Sequence, residues 1–263
     1  MSLDQLGQQL KRITDSVTGK CSVTISTPEG DFDINGSAKL SAASLIKIPI
    51  LLEAFRQVEV GILDLNQPID IPPEEKVGGM GVLTRLSDGM TLPFRDVITL
   101  MIIVSDNTAT NLVIDQVGLE RVNALCSELN AEQTVLGRRL MDLKAREEGR
   151  DNFTSANDTV IFLREVTEGS LVGSEGRQEM IEILKQQQFN TKLPARIPKG
   201  VPGDPVLAHK TGELPGVEHD AGIFMNQGTN VYVAGLFTEL SDNLDGQEAL
   251  AAIGEAVYNY LHE

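Results

Sequence analysis

The stretch from Ser41 to Phe55 reads SAASLIKIPILLEAF and places the hydroxyl of Ser44 three residues before the amine of Lys47. Positions three apart on a helix lie on one face, with about 5–6 Å between their Cβ atoms, so the amine can reach the serine oxygen. A hydroxyl beside an amine that accepts its proton is a nucleophile with a base. The stretch therefore predicts a helix that carries a nucleophilic serine.

The residues around this pair are almost all apolar, which indicates that the helix is buried. Burial removes water from the amine of Lys47, and this lowers the pKa of a lysine, so that more of it is neutral at working pH. If the helix begins near Ser44, its free N–H groups and its dipole also favour negative charge at the serine oxygen. The alternative is a core helix with an incidental serine and a lysine that reaches to solvent, since Ser-x-x-Lys recurs by chance.

The chain of 263 residues has 22 lysines and arginines against 38 aspartates and glutamates, a formal net charge of −16. This charge opposes binding to nucleic acid and to an anionic membrane face, so we expect neither as a partner. No apolar run of about 18 residues occurs, and Met1–Lys20 contains no apolar core of a signal peptide. We therefore expect a protein that is cytosolic, or one whose export signal is absent from this chain. The sequence does not fix the oligomeric state, for which we expect a monomer.

The cysteines and histidines match no redox, metal or cofactor motif. Cys21 and Cys126 cannot form a disulfide framework, and the sequence leaves open whether they pair. His209, His219 and His262 form no His-Glu-x-x-His pair, so we expect no metal and no cofactor. No Gly-x-Ser-x-Gly turn occurs, which argues against a Ser-His-Asp hydrolase.

Apolar residues repeat at helical spacing over residues 2–17 and again near the C-terminus, and short strands follow the first helix and precede the last one. The predicted strands are Cys21–Ser26, Asp31–Asn35, Val206–His209, Glu218–Phe224 and Asn230–Phe237. The segment between the two groups of strands is mostly helical in pattern, with loops at Pro68–Leu92 and Leu136–Asn152.

Strands at both ends around a helical middle predict an α+β fold in which the two termini share one sheet. We expect a discontinuous antiparallel five-stranded sheet flanked by the terminal helices and formed by residues 1–38 and 188–263. Residues 39–187 would form an inserted all-helical domain. The active site would lie in the cleft between the two domains.

Two further motifs carry polar side chains. Ser-Asp-Asn at 105–107 lies between two apolar helical runs and offers a second hydroxyl and an amide from one tight loop, although all three residues are also good helix caps. Lys-Thr-Gly at 210–212 lies at the end of a predicted strand and offers a cation and a hydroxyl to a substrate carboxylate. Its glycine would let another backbone approach closely. Each motif alone is weak evidence.

Ser-x-x-Lys at 44–47, Ser-Asp-Asn at 105–107 and Lys-Thr-Gly at 210–212, in this order, resemble the signature set of class A β-lactamases and penicillin-binding proteins. The intervals between the motifs, the terminal helices and the sheet are also similar to that family, so the resemblance covers nearly the whole chain. It implies a β-lactamase/transpeptidase-like fold. It also implies a serine hydrolase that acts on a small β-lactam or D-Ala-D-Ala-like substrate.

The resemblance implies a catalytic role for each matching residue. Ser44 would attack the β-lactam carbonyl and become acylated, and Lys47 would accept its proton directly or through a network. Ser105 would relay a proton to the leaving nitrogen. Lys210 would tune Ser105 and attract the substrate carboxylate. The backbone N–H groups of Ser44 and Glu213 would form the oxyanion hole.

The resemblance also implies contacts with the substrate. Asn107 would bond its acylamino side chain, and Thr211 and Gly212 would line the strand edge along which it lies. His219 falls near the position of an arginine that many class A enzymes use for the substrate carboxylate, so a partly charged histidine could replace it; the alternative is a structural strand residue. Met80 would face the substrate from a glycine-rich loop, unless that loop is an ordinary turn.

The sequence departs from the family at the Ω loop. Class A enzymes carry there a glutamate that activates the water for deacylation, usually two residues after an arginine that pairs with a later aspartate. Arg138 and Asp151 fit the closing pair, but Leu140 stands at the position of the glutamate. General-base help is typically worth about 10²–10⁴-fold in rate, so the acyl-enzyme should be long-lived unless Asp142 or Lys47 supplies the function.

Three functions stay open on this basis. The first is a class A-like β-lactamase that is acylated at Ser44 and hydrolyses the acyl group slowly. The second is a D-Ala-D-Ala peptidase or esterase like a penicillin-binding protein, which the absent Ω-loop base favours. The third is a β-lactam binding or sensor module in which acylation is the end point.

Overall fold

The computed structural model describes residues 1–198 and 203–262, so part of the predicted sheet segment 188–263 lies outside the described residues. Its central sheet contains β1 Lys20–Thr27, β2 Gly30–Ile34, β7 Val206–Leu214, β8 Val217–Asn226 and β9 Thr229–Thr238. These strands are antiparallel neighbours in the order β2-β1-β9-β8-β7. Strands from both ends of the chain lie side by side, which confirms the predicted α+β fold with a discontinuous five-stranded sheet.

Two terminal helices, α1 Leu3–Asp15 and α9 Asn243–His262, pack on one face of this sheet. A capping box begins α1, because the Ser2 side chain accepts from the Gln5 N–H and the Gln5 side chain accepts from the Ser2 N–H. The core between the helices and the sheet includes Leu6, Leu10, Phe224, Phe237, Leu250 and Ile253.

The inserted helices cover the opposite face. Alternate residues of β9 show this division, because Val231 and Val233 join the core under the terminal helices while Tyr232 and Ala234 join the other core. The inserted helices are α2 Lys47–Glu59, α3 Phe94–Ile103, α4 Asn107–Val117, α5 Leu119–Glu128, α6 Leu143–Glu147, α7 Ala156–Glu168 and α8 Ser174–Lys185. Helix α2 packs against several of the others and is buried over most of its length, as its apolar sequence predicts.

The inserted region is mainly helical, as predicted, and also contains two short strand pairs that the sequence did not predict. β4 Pro68–Ile71 pairs with β5 Met90–Pro93, and β3 Leu40–Ser41 pairs with β6 Phe153–Thr154. The first pair lies at the two ends of a segment that the sequence predicted as a loop. The second has only two residues per strand, too few for a recognisable alternation of apolar and polar side chains.

The structure also answers the question of cysteine pairing. The thiols of Cys21, on β1, and Cys126, in α5, are both free. Among the described residues, no helix combines the length and the apolar character that a membrane span requires.

Helix α9 approaches a neighbouring segment so closely that a side chain does not fit between them. A Cβ atom added at Gly254 would overlap the backbone carbonyl of Leu193. Overpacking a tight contact typically costs about 1–3 kcal/mol, more than the roughly 1 kcal/mol that alanine gains over glycine inside a helix. Because a backbone carbonyl cannot rotate away as a side chain can, we expect the upper part of this range, and hence a net lowering of the free energy of unfolding by about 1–2 kcal/mol for Gly254→Ala, measured by urea denaturation.

The matched control is Gly78→Ala, because no atom lies within 4 Å of a Cβ added at Gly78. This variant should unfold like the wild type. An unchanged urea midpoint for Gly254→Ala would contradict the close packing of α9 on Leu193.

Candidate active site

Three separate segments of the chain bring four polar side chains together. Ser44 lies in a 3₁₀ turn, Ala43–Ile46, and Lys47 begins α2 directly after it. Ser105 lies in the loop between α3 and α4, and Lys210 lies on β7. Ser105 Oγ donates to Ser44 Oγ at 2.9 Å, and Lys210 Nζ donates to Ser105 Oγ at 3.1 Å. The structure thus places in one group the four residues that the sequence predicted as catalytic.

Lys47 Nζ lies at the centre of this group. It is 3.1 Å from Ser44 Oγ, 2.9 Å from Ser105 Oγ, 2.7 Å from the Ser105 carbonyl oxygen and 3.1 Å from Asn107 Oδ1. The side chain is fully buried, and burial lowers its pKa to about 7 against an opposing effect of the Asp106 carboxylate. Near neutral pH, the Lys47 amine is therefore neutral in a large fraction of the molecules, and the neutral amine can accept a proton from Ser44.

The second amine, Lys210 Nζ, also donates to the carbonyl oxygen of Thr211 at 2.7 Å. Burial lowers the pKa of Lys210 well below its ordinary value. The nearby amines of Lys47 and Lys192 lower it further, while the carboxylate of Asp220 opposes them. Because two neighbouring buried amines disfavour a second positive charge, the group holds fewer protons than two exposed lysines would.

The backbone is strained beside both hydroxyls. Ser105 has a φ of 54° and Ala43, which precedes Ser44, has a φ of 43°. Residues other than glycine rarely adopt this left-handed conformation, and such strain is concentrated at functional sites. The loop of Ser105 is held by Asp106, whose carboxylate caps α4 by accepting from the Ala109 N–H at 2.9 Å.

The glycine-rich loop docks on the same residues. The Asp106 carboxylate accepts from the N–H of Val82 at 2.7 Å, and the Asn107 N–H donates to the carbonyl oxygen of Met80 at 3.0 Å. The Asn107 side-chain amide donates to the carbonyl oxygen of Gly78 at 3.1 Å. These bonds hold Met80, 36% exposed, at the rim of the site.

A cleft of about 590 Å³ opens beside Ser44, which is 9% exposed and lines it. The apolar residues that line the cleft include Met80, Leu140, Met141, Leu143, Leu214 and Pro215. Its polar lining includes Asn107, Arg138, Glu213, Asn243 and Gln247. A concave site with a mostly apolar lining and a few polar groups is typical of small-molecule binding.

The segment corresponding to the Ω loop forms one wall of this cleft. Arg138 and Asp151 pair as the sequence predicted, with Arg138 Nε and Nη2 both 2.8 Å from the same carboxylate oxygen. Asn152 Oδ1 accepts from the N–H groups of Gly137 at 2.9 Å and Arg138 at 3.1 Å. The two ends of the loop are thereby tied together.

Leu140 lies on this wall and offers no proton acceptor to the cleft. The side chain of Asn111 holds its backbone from both sides, with the Leu140 N–H donating to Asn111 Oδ1 at 2.8 Å and Asn111 Nδ2 donating to the Leu140 carbonyl at 3.0 Å. Asp142 is exposed, is not among the residues that line the cleft, and caps α6 by accepting from the Ala145 N–H at 2.9 Å. This position corrects the suggestion that Asp142 replaces the missing glutamate.

His219 does not line the cleft either. Its ring is fully buried, with Nε2 2.9 Å from the carbonyl oxygen of Ser41 and Nδ1 accepting from the N–H of Phe237 at 3.2 Å. A neutral ring protonated on Nε2 satisfies both contacts, and burial lowers the pKa of His219 to about 4. The structure therefore contradicts the expectation that a partly charged His219 binds the substrate carboxylate and supports the structural alternative.

Strand β7 passes close to Ser44 because residue 212 is a glycine. A Cβ atom added at Gly212 would lie 3.3 Å from the Ser44 backbone nitrogen and 3.3 Å from the Ala43 Cβ atom. The next residue, Glu213, lines the cleft, as Ser44 does. The N–H groups of Ser44 and Glu213 stay our prediction for the oxyanion hole, and Thr211, almost fully buried on the same strand, stays a predicted wall residue.

Sequence reasoning missed two residues next to this strand, Lys192 in the segment before it and Glu218 on β8. Lys192, 2% exposed, pairs with the buried Glu218 at 2.5 Å and donates to the carbonyl oxygen of Gly212 at 2.8 Å. Neither belongs to a motif of fixed spacing. The available signal was three consecutive ionisable residues, Glu218 to Asp220, at the start of the predicted strand Glu218–Phe224.

The chain matches the β-lactamase enzyme family, Beta-lactamase2, over residues 5–261. This match covers almost the entire sequence and agrees with the sheet, the inserted helices and the four converging side chains. The chain therefore belongs to the β-lactamase family of penicillin-binding serine hydrolases.

Several solved structures are similar over their full length. A β-lactamase from Sphaerobacter thermophilus shares 29% identity, with 100% of this chain and 98% of that chain covered and a TM-score of 0.91. PBP-A shares 27% identity, with 99% and 97% covered and a TM-score of 0.87. A leucine-to-glutamate mutant of PBP-A is known as an acyl-enzyme complex with penicillin G.

A curated relative, the β-lactamase AER-1 of Aeromonas hydrophila, is 28% identical over 153 residues. The alignment covers 57% of this chain and 49% of that protein, so the chain matches about half the length of this relative. This likeness supports membership in the family. The substrate and the rate of turnover depend on the residues of the site.

Proposed function

We propose that this protein is a penicillin-recognising serine hydrolase that is acylated at Ser44 by β-lactams and releases the acyl group slowly. One observation carries the proposal: Lys47 Nζ and Ser105 Oγ both lie within 3.1 Å of the Ser44 hydroxyl oxygen, with Lys210 behind Ser105. The Ser44 hydroxyl thus has a proton acceptor and a second hydroxyl in direct contact, inside a cleft large enough for a small molecule.

In acylation, Ser44 Oγ attacks the carbonyl carbon of the cyclic amide, and its proton passes to the neutral amine of Lys47. The carbonyl oxygen becomes an oxyanion, which the N–H groups of Ser44 and Glu213 stabilise. When the C–N bond breaks, the leaving nitrogen takes a proton from Ser105 Oγ, and Lys47 restores that proton across their 2.9 Å contact. The product is an ester on Ser44, with no net proton gained or lost by the protein.

The substrate would lie between two walls of the cleft. Asn107 and Met80 stand on one side, where the amide of Asn107 would bond the acylamino group. Thr211 and Gly212, both on β7, would lie on the other side. Lys210, behind Ser105, would attract the substrate carboxylate and keep the Ser105 hydroxyl in place for proton transfer.

Deacylation is the step for which the site is poorly equipped. Hydrolysis of the Ser44 ester needs a base that removes a proton from an attacking water, and Leu140 provides none. Asp142 caps α6 instead, which leaves Lys47 as the amine nearest the ester oxygen. Because a positioned general base is worth about 10²–10⁴-fold, we expect the acyl-enzyme to persist correspondingly longer than one with a carboxylate at position 140.

A second candidate function, a D-Ala-D-Ala peptidase or esterase, is favoured by the same leucine and by the likeness to PBP-A at 27% identity. The acylation chemistry of an open amide or ester is the same, with D-alanine or an alcohol as the leaving group. What separates the candidates is the acyl donor and the rate at which water removes the acyl group.

The first prediction of the proposed function concerns the nucleophile. A short pulse of benzylpenicillin should add one ligand mass to the wild-type protein in intact-mass spectrometry and none to Ser44→Ala, because Ser44 both lines the cleft and has its Oγ in contact with the amine of Lys47. Ser127→Ala, which removes an exposed hydroxyl on α5, is the matched control and should be labelled like the wild type. Equal labelling of Ser44→Ala would exclude the proposed nucleophile.

The same samples separate the candidate functions. An adduct that disappears over minutes, with colour from a chromogenic cephalosporin, indicates a slow β-lactamase, and one that persists for hours indicates a binding module. Release of D-alanine from a stem peptide by the wild type, but not by Ser44→Ala, indicates a peptidase.

The second prediction concerns pH. The acylation rate constant should fall about tenfold per pH unit below the Lys47 pKa, which burial lowers to about 7, and should reach a plateau above it. The sign follows because the neutral amine is the base and protonation at low pH removes it. Ser105→Ala should react more slowly but keep the inflection. A profile that keeps rising to pH 10 would show that Lys47 is not the base.

The third prediction concerns the Ω-loop wall. Leu140→Glu places a carboxylate on the cleft while Asn111 continues to hold the backbone of residue 140, so release of the acyl group should accelerate by about 10²-fold or more. Leu140→Gln is the matched control, because it has nearly the same shape as glutamate without a base, and it should stay slow. If both variants release the acyl group at the wild-type rate, the missing glutamate does not limit turnover.

A further inference from the structure

We infer that Lys192 is a positioning residue that aims one donor of the oxyanion hole, the backbone N–H of Glu213, by holding the opposite end of the same peptide group. The inference rests on the proposed function, since it assigns a task in the acylation of Ser44 to a residue outside the three motifs. Lys192 lies in the segment before β7 and does not line the cleft.

Lys192 contacts two carboxylates, Glu218 at 2.5 Å and Glu213 at 3.9 Å, and two backbone carbonyls of the sheet. Its Nζ atom donates to the carbonyl oxygen of Gly212 at 2.8 Å and lies 3.3 Å from the carbonyl oxygen of His219. Gly212 and His219 face each other across the pairing of β7 with β8. The ammonium group therefore fixes the β7 carbonyl on the side of the strand that faces β8.

The geometry of the peptide group carries this constraint to the cleft. The carbonyl of Gly212 and the N–H of Glu213 belong to one planar trans peptide and point in opposite directions. With the carbonyl held toward β8, the N–H of Glu213 points away from the sheet. Because β7 is the edge strand, that direction leads into the cleft, which Glu213 lines and where the Ser44 backbone nitrogen approaches Gly212.

The charge of Lys192 adds to the effect of its position. Hydrogen bonds from an ionised donor are roughly twice as strong as neutral ones, and a bond at the carbonyl end of a peptide polarises its N–H end. The N–H of Glu213 thereby becomes a stronger donor to negative charge on a substrate oxygen. Stabilisation of this kind acts on the transition state, where that charge develops.

Lys192 is itself held in place from the C-terminal helix. It is 2% exposed and pairs with Glu218 at 2.5 Å. The other carboxylate oxygen of Glu218 accepts from Asn243 Nδ2 at 2.8 Å and Gln247 Nε2 at 3.0 Å, both on α9. A buried ion pair contributes little net stability compared with apolar residues of the same volume, so stability alone does not explain an ammonium group beneath this peptide.

The test measures the hydrogen bonding of the acyl group directly. The acyl-enzyme is prepared with a penicillin labelled with ¹³C at the β-lactam carbonyl, and the ester carbonyl stretch is recorded by infrared difference spectroscopy. Strong oxyanion-hole bonds lower this frequency. Lys192→Met should raise it and should slow acylation by about tenfold to 10²-fold, less than the roughly 10²–10³ lost when a donor is removed outright.

Two further variants serve as controls, and a third replaces Lys192→Met if that variant does not fold. Lys192→Arg keeps the charge and the donors and should retain the wild-type frequency. Lys185→Met makes the same chemical change at a partly exposed lysine on α8 and should alter neither frequency nor rate. If Lys192→Met does not fold, Lys192→Gln is used in its place, because it keeps one donor without the charge, and its frequency should lie above that of the wild type.

The outcomes distinguish this inference from the proposal on which it rests. A wild-type protein that forms no Ser44 adduct overturns both. A wild type that is acylated, with an unchanged carbonyl frequency in whichever of Lys192→Met or Lys192→Gln folds, overturns the positioning role alone. A lower thermal stability without a shift in frequency would show that Lys192 is purely structural.

Discussion

The site depends on the burial of one amine between two hydroxyls. Removing water from Lys47 disfavours its charged form, while the nearby carboxylate of Asp106 favours it. These opposing effects bring the pKa to about 7, where the same nitrogen can both accept and return a proton. The apolar sequence of α2 is therefore part of the chemistry, because a more hydrated helix would leave the lysine permanently charged.

This arrangement requires parts of the chain that are distant in sequence to approach within hydrogen-bonding distance. The sheet meets the requirement by pairing strands from both ends of the chain, which brings Lys210 on β7 against Ser105. Gly212 allows the strand to pass beside Ser44 without a side chain between them. The strain at Ala43 and Ser105 is offset by the surrounding packing and by the cap that Asp106 provides.

Periodicity and motif order predicted the α+β fold and the residues that converge on Ser44, because both depend on patterns along the chain. Residues whose role depends on distant partners were assigned wrongly or missed. The structural role of His219 depends on its contacts with the N–H of Phe237 and the carbonyl of Ser41. The position of Lys192 depends on its contacts with Glu218 and two backbone carbonyls. Asp142 caps a helix of five residues, too short for its apolar period to be recognised.

The two halves of the proposed reaction depend on different parts of the structure. Acylation uses Ser44, Lys47 and Ser105, which the core of the protein holds. In the proposed reaction, deacylation would depend on the wall formed by Leu140, whose backbone is held by Asn111 through main-chain bonds that are independent of the side chain at 140. A proton acceptor introduced at 140 would then supply a base without moving the loop. The fate of the acyl group can therefore vary within one fold while the acylation machinery stays the same.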